Sequence, residues 1–358
     1  MGIPLLLAIA IPSRFFSMLF GQGTANENIL VIKISALGDG VVLIPALQHL
    51  RSNFGKSKIY FLGGPSNQKL IENLALVNEF ISFNNQGIRK ILKMKFRLVI
   101  DFEQWMRATA IFTAFLRANT KIGFKSKDQC RHWAFTHKIK FDTSRHTGEN
   151  FWNLTQAALK MRKIIHHLNF SQVCQAAGGN LEIFKKRDFL QVPKDLMPPL
   201  LVLHPGCGDH GEFREWPIEN WKELIVVLKS KYPKAKIVVT GQGRYEELLA
   251  RALEEVGARS LVNSLSFEGF MGVLQSATWI FSGNTGAMHL ASFLNKNLTV
   301  LNGPSDLKMW GPLWGGKVIA SPLECAPCLT WGSDYGCSDP VCVKAISLQQ
   351  VINSMGLH

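Results

Sequence analysis

A chain of 358 residues, 47% hydrophobic and 18% charged, can bury a substantial core and is long enough for two domains. Its formal charge of +14 and pI near 9.5 point to an anionic partner: nucleic acid, an anionic membrane or a phosphorylated substrate. The basic residues concentrate in Lys90–Lys95, Lys121–Lys140 and Lys160–Arg187, with no arginine-rich arm or RNA-binding signature, which sets nucleic acid aside.

Residues 1–28 form an apolar leader. Pro4 to Ile11 is apolar, Pro12-Ser13-Arg14 interrupts, and Phe15 to Phe20 resumes. A spanning helix needs about 20 apolar residues without such a break. A secretory signal needs basic residues ahead of the apolar run and a small-residue cleavage site. A segment lying in the membrane interface fits the pattern, and so does a disordered leader.

From Asn28 the pattern becomes regular. Ile29–Ile34 reads as a strand, Ser35–Gly40 as a turn and Val41–Phe54 as a helix. Ile59–Leu62 and Arg97–Phe102 are further strands, the second followed by a helical run through Leu116, and Phe151–Ile165 reads as a helix. Gln191 to Pro199 is a plausible linker, separating a domain over 29–192 from one over 199–358. The second half restarts the alternation: strand Leu200–His204, helix Ile218–Lys231, strand Lys236–Thr240, helix Tyr245–Val256, short strand Ser260–Val262, helix Phe267–Gln275. Strand Ala277–Phe281, a turn, helix Ala287–Leu294 and strand Leu298–Leu301 follow. Alternation at this spacing predicts parallel βαβ units, and hence an α/β protein of two doubly wound, Rossmann-like domains facing a cleft.

In such sheets ligands bind outside the carboxyl ends of strands, and the chemically interesting turns all follow strands. The stretch Ser282-Gly283-Asn284-Thr285-Gly286-Ala287-Met288-His289 is the most telling. A strand, a small-residue turn and a helix start present unpaired N–H groups where the helix dipole is positive, a site for a phosphate or pyrophosphate. Gly286 allows close approach, Thr285 adds a hydroxyl, and His289 lies about one turn along on the same side. A helix cap followed by a satisfied histidine is the plainer reading.

In these motifs the chain resembles the ADP-heptose lipopolysaccharide heptosyltransferases, glycosyltransferase family nine, of GT-B fold. The resemblance is carried by Ser35-Ala36-Leu37-Gly38-Asp39 and Asp101-Phe102-Glu103-Gln104, then by His204-Pro205-Gly206, Arg214-Glu215-Trp216-Pro217 and Asn284-Thr285-Gly286-Ala287-Met288-His289. It runs from about Ile29 to the C-terminus. It implies an inverting transfer of heptose, or a related sugar, from an ADP-sugar to a phosphorylated, lipid-linked saccharide of the lipopolysaccharide core. It also implies an enzyme without cofactor or metal, at the cytoplasmic face of the inner membrane. The basic first half and the apolar leader suit such an acceptor and a peripheral membrane contact.

The resemblance gives the residues roles. Asp39 is the base for the acceptor hydroxyl, with a helix N-cap as the alternative. Arg107, in the turn after the middle strand, falls on the acceptor side. Thr285, Gly286 and the forked cation of Arg214 meet the leaving diphosphate, with His289 nearby; a surface arginine is the alternative for Arg214. Glu246, just past Gly241-Gln242-Gly243, is placed to accept ribose hydroxyls, or is an exposed charge in a first helical turn. The chain has no Asp-x-Asp, although Asp101-x-Glu103 mimics one. Asn284 departs from the family, whose best-known members carry Asp there to hold the donor sugar. The change implies a different sugar, reduced activity, or a protein that only binds sugar nucleotides. For the usual donor, restoring the carboxylate is expected to raise turnover. A nicotinamide-dependent oxidoreductase is disfavoured, because Ser35–Gly40 lacks Gly-x-Gly-x-x-Gly. Cys325, Cys328, Cys337 and Cys342 have a layout compatible with a tetrahedral zinc site, or with reduced thiols.

Overall fold

β1 (Ile29–Lys33) is aliphatic and β-branched up to its last residue, and every position in it is buried. That is the signature of a central parallel strand covered on both faces. In the computed structural model, which describes residues 27–161, 168–185, 195–208, 211–329, 337 and 339–356, β1 pairs in parallel with β2 (Ile59–Gly63) and with β4 (Lys95–Asp101). β3 (Glu79–Ser82), β5 (Arg117–Lys125) and β6 (His137–Lys140) complete a six-stranded sheet in the order β3-β2-β1-β4-β5-β6. The leader through residue 26 and linker residues 186–194 lie outside the described residues.

The second half repeats the plan. β7 (Leu200–His204), β8 (Lys236–Val239), β9 (Arg259–Ser260), β10 (Trp279–Gly283), β11 (Leu298–Asn302) and β12 (Lys317–Ala320) form a six-stranded sheet in the order β12-β11-β10-β7-β8-β9. In each sheet the first strand of the unit lies between its second and its fourth. Strand order therefore reverses at β1/β4 and again at β7/β10, and doubly wound sheets open a ligand crevice at that switch point. The architecture is GT-B: two doubly wound α/β domains.

The chain divides into Met1–Ala177 with Glu182–Lys185, and Gly178–Leu181 with Lys186–His358. The segment at 178–181 joins the second unit because Gly179 N–H donates to the Phe293 carbonyl at 2.6 Å and Gly178 lies against Trp314. The core of the first unit gathers Leu30, Ile32, Leu62, Phe96 and Val99, and that of the second Leu203, Trp216, Trp221, Leu224 and Val239.

Several sequence boundaries need correction: the short strand expected at Ser260–Val262 is Arg259–Ser260, and the helix expected over Phe151–Ile165 already begins at Thr147. The helix expected over Val41–Phe54 is a pair, Leu37–Val42 and Ile44–Asn53. Pro45 in the first turn of the second helix has no N–H to give the preceding turn, so the helix restarts there. The strand expected at Ala277–Phe281 begins at Trp279, because Ala277 caps the helix Phe267–Ser276 through its N–H to Leu274.

Candidate active site

At the first switch point Lys33 ends β1 with its ammonium buried, 1% exposed. Its Nζ lies 2.6 Å from Asp39 Oδ2, 3.0 Å from Glu103 Oε2, and donates to Gln104 Oε1 at 3.2 Å. Glu103 Oε1 accepts from the N–H groups of Ile34 at 2.7 Å and Ser35 at 3.2 Å, pinning the turn that carries Asp39. Burial alone would lower the Lys33 pKa, but Asp39 and Glu103 outweigh it, and the net direction is up. Burial opposes ionisation of Glu103, yet Lys33 and the two backbone donors hold its carboxyl below the usual range. Asp39 goes the other way: burial raises it despite the pull of Lys33. Its side chain keeps 13% exposure. Of the two carboxylates beside Lys33, Asp39 is the one fitted to take a proton.

Asp39 is not a cap. The helix already begins at Leu37, after Ala36, and no side chain caps it.

Behind this triad sits a second ion pair with no exposure at all, Asp101 Oδ2 to Arg131 Nη2 at 2.7 Å. Arg131 also donates to Thr109 Oγ1 at 3.1 Å, through Nε to the Met106 carbonyl at 2.9 Å, and through Nη1 to the Glu103 carbonyl. Asp101 Oδ1 accepts from the Glu103 N–H at 2.9 Å. The Asp101-x-Glu103 pair is therefore committed to two buried cations. Asp101 and Arg131 fix the backbone of Glu103, and Glu103 fixes Lys33.

The second switch point is built differently. Cys207 N–H donates to Glu215 Oε1 at 2.9 Å and Gly208 N–H to Glu246 Oε1 at 3.2 Å. Glu246 is buried, so the exposed-charge alternative falls. A Cβ on Gly206 would stand 2.6 Å from Glu246 Cγ, one on Gly241 2.9 Å from its Cβ, and one on Gly243 2.6 Å from Oε2. The glycines of both turns are there to admit this carboxylate.

Arg214 is likewise no surface arginine. Its Nη2 donates to the Cys207 carbonyl and its Nη1 to the Asn284 carbonyl, each at 3.2 Å, tying the turn after β7 to the turn after β10. Thr285 precedes the helix Gly286–Phe293 and its side chain makes no cap bond; Thr285 Oγ1 lies 3.2 Å from Ser282 Oγ. The N–H groups at the start of this helix need partners from outside it. His289 is buried in the same turn of helix. Asn284 Nδ2 donates to Asn302 Oδ1 at 3.1 Å. Burial drives His204 down to about 4, so its imidazole is neutral at pH 7, with Nδ1 3.0 Å from Thr240 Oγ1. Burial pushes the Cys207 thiol up to about 12. Beside the carboxylates of Glu215 and Glu246, which take the Cys207 and Gly208 N–H groups, the site offers neutral groups, the N–H groups at the start of the helix Gly286–Phe293 and Arg214 as its cation; these last suit an anion.

Residues 86–339 match the family described as Glycosyltransferase family 9 (heptosyltransferase). The chain belongs to glycosyltransferase family 9. It is 30% identical over 300 residues to lipopolysaccharide heptosyltransferase 1 of Escherichia coli O18:K1:H7 (strain RS218 / NMEC), covering 78% of this chain and 86% of that one. The alignment to lipopolysaccharide heptosyltransferase 1 of Escherichia coli (strain K12), also 30% identical, spans 134 residues, 37% of this chain and 41% of the relative. Among solved structures, E. coli heptosyltransferase WaaC with ADP superposes with a TM-score of 0.68 at 19% identity, covering 92% of this chain and 99% of that one. The form of WaaC with ADP-2-deoxy-2-fluoro heptose gives 0.64 at 20% identity over 92% and 99%.

The glycosyltransferase thus brings Arg214, Glu246, Asn284, Thr285, Gly286 and His289 onto the loops around one switch point, and Asp39 onto the other. The Arg107 guanidinium donates to the carbonyls of Asp128 at 3.0 Å and Gln129 at 3.3 Å, stapling a loop. Among the described residues no group of three or more metal-ligating side chains forms, Cys342 is buried beside Gly303, and Cys325, Cys328 and Cys337 are exposed. No disulfide joins the seven cysteines. Among the described residues no helix is long and apolar enough to cross a membrane. Sequence reasoning missed Lys33, Arg131 and Asn302. A lysine inside an otherwise apolar strand was the available signal for the first; the other two had none.

Proposed function

We propose that this family 9 enzyme transfers heptose, or a closely related sugar, from an ADP-sugar to a phosphorylated saccharide of a lipopolysaccharide core, with inversion and without a metal. The observation that carries the reading is the Lys33–Asp39–Glu103 triad, in which one carboxylate is held ionised and the other is made basic. Support for the donor comes from WaaC, whose solved forms hold ADP and ADP-2-deoxy-2-fluoro heptose.

Asp39 takes the proton of the acceptor hydroxyl as that oxygen attacks the anomeric carbon from the face opposite the diphosphate. The bond from that carbon to the diphosphate oxygen breaks, and ADP leaves with the electron pair. Backbone N–H groups at Gly286, the Thr285 hydroxyl and Arg214 receive the developing charge. Glu246 accepts from the ribose hydroxyls, while Lys33 stays charged and compensates the ionised form of Asp39. The enzyme works at the cytoplasmic face of the inner membrane, with its lysine-rich first half turned to the phosphates of acceptor and lipid. A protein that only binds the sugar nucleotide is the second reading, motivated by Asn284.

The test is Asp39→Asn. Turnover of ADP-heptose on a heptose-deficient acceptor is expected to fall about a hundredfold or more, with ADP affinity by calorimetry unchanged. Near-normal turnover would remove Asp39 from the chemistry. Tight ADP binding without transfer by the unmodified enzyme would leave the binder.

A further inference from the structure

The turn after β10 carries a hydrogen-bond chain whose polarity is fixed from one end. The Ser305 carbonyl can only accept, so the Asn302 atom 2.9 Å from it is the amide nitrogen. Asn302 therefore presents Oδ1 to Asn284, and the Asn284 atom 3.1 Å away must be its NH2. Both side chains are buried, at 7% and 3% exposure. The side-chain acceptor left over is Asn284 Oδ1, which accepts from no described residue and is not sealed from solvent.

An aspartate at position 284 fails on this wiring. Its carboxylate would meet Asn302 Oδ1, acceptor against acceptor. Flipping the Asn302 amide to donate would only move the conflict, setting its oxygen against the Ser305 carbonyl. A buried acceptor left facing an acceptor loses its hydrogen bond and keeps its desolvation cost.

We propose that Asn302 is a positioning residue that holds Asn284 by its NH2, leaving Oδ1 to accept from a hydroxyl of the donor's sugar, and that this one-way chain specifies a neutral amide. The proposal rests on the nucleotide-sugar reading of this turn. It reverses the expectation that a restored carboxylate helps. Arg214, whose Nη1 donates to the Asn284 carbonyl at 3.2 Å, is the cation facing residue 284 and would favour a carboxylate. The two influences therefore oppose each other, and a measurement separates them.

The experiment is a double-mutant cycle over Asn284→Asp and Asn302→Ala, read by kcat and KM for ADP-heptose, ADP affinity and melting temperature. With Asn302 present, Asn284→Asp is expected to lower kcat/KM about tenfold and to lower the melting temperature by several degrees. With Asn302→Ala, the truncated side chain leaves room for a water that donates to the carboxylate. The same change should then cost about twofold or less in both readouts. Asn302→Ala alone should raise the KM for ADP-heptose several-fold while leaving ADP affinity unchanged, a split that a merely structural role would not produce. Equal cost of Asn284→Asp in both backgrounds overturns the proposal, as does a gain with Asn302 present. If Asn284→Asp does not fold, a folded double variant supports the wiring, and collapse of both overturns it. If the unmodified enzyme transfers nothing from ADP-heptose, the donor reading fails, while the melting cycle still decides the wiring.

Discussion

At the crevice between β1 and β4, Lys33, Asp39, Glu103, Asp101 and Arg131 are packed as ion pairs, and the Asp101–Arg131 pair has no exposure. At the matching crevice between β7 and β10, the work is done by a neutral His204, a protonated Cys207, two asparagines and backbone N–H groups; Arg214 and Glu246 there bond to main chain. The strand order is the same in both. A shared fold supplies the position of a site and leaves its electrostatics to the side chains. On the proposed reading the first site moves a proton, and a buried lysine keeps a neighbouring carboxylate poised for that. On the same reading the second receives a diphosphate, whose charge is best met by dipoles already in place and by one cation.

The sharpest way to break this contrast is Arg131→Met. It strands the buried Asp101 carboxylate, and removing one partner of such a pair costs about 3–5 kcal/mol. Calorimetric melting should show the first unit destabilised, with the ADP affinity proposed for the second retained while it stays folded. A small loss would mean that Asp101 protonates or rehydrates at little expense, and that the charges are not structural.

Gly206→Ala probes the second site at intermediate cost. Its Cβ would press on the Glu246 side chain at 2.6 Å, so Glu246 must move from the Gly208 N–H. ADP affinity should drop about tenfold by titration calorimetry, with the melting temperature of the first unit unaffected. Unchanged ADP affinity would separate Glu246 from the nucleotide.

The smallest effect is expected from pH. Burial holds His204 at about 4 in the fold against an ordinary 6.5, so the unfolded chain binds the proton first. The stability owed to neutral His204 is complete above 6.5 and erodes as pH falls towards 4. His204→Asn, which can still meet Thr240, should flatten the decline in melting temperature over that window. Parallel curves for the two proteins would show that His204 is protonated in the fold without penalty.

Much of this was legible before folding. β7 and the helix Ile218–Lys231 lie where the periodicity put them, and the motifs named Asp39, Arg214, Glu246 and Asn284. The strands β3, β5, β6 and β12 were not legible. Glu79–Ser82, His137–Lys140 and Lys317–Ala320 are four residues each, partly exposed and carrying charge, and what makes them strands is the hydrogen-bonding edge a neighbour offers. Arg117–Lys125 has charged ends and a lysine, Lys121, whose ammonium is buried against the Ala114 carbonyl at 2.8 Å.

Local pattern by itself determined the α/β alternation, the turns that follow strands and the residue types suited to a phosphate, because apolar periodicity and turn chemistry act over a few residues. Tertiary structure alone decided which charges are solvated and which are machinery. Lys33 and Glu103 stand 70 positions apart, Arg131 and Asp101 30, Arg214 and Asn284 70, Asn284 and Asn302 18. A charge or an amide acquires its role from the partner that folding brings within about 3 Å, and no local pattern specifies that partner.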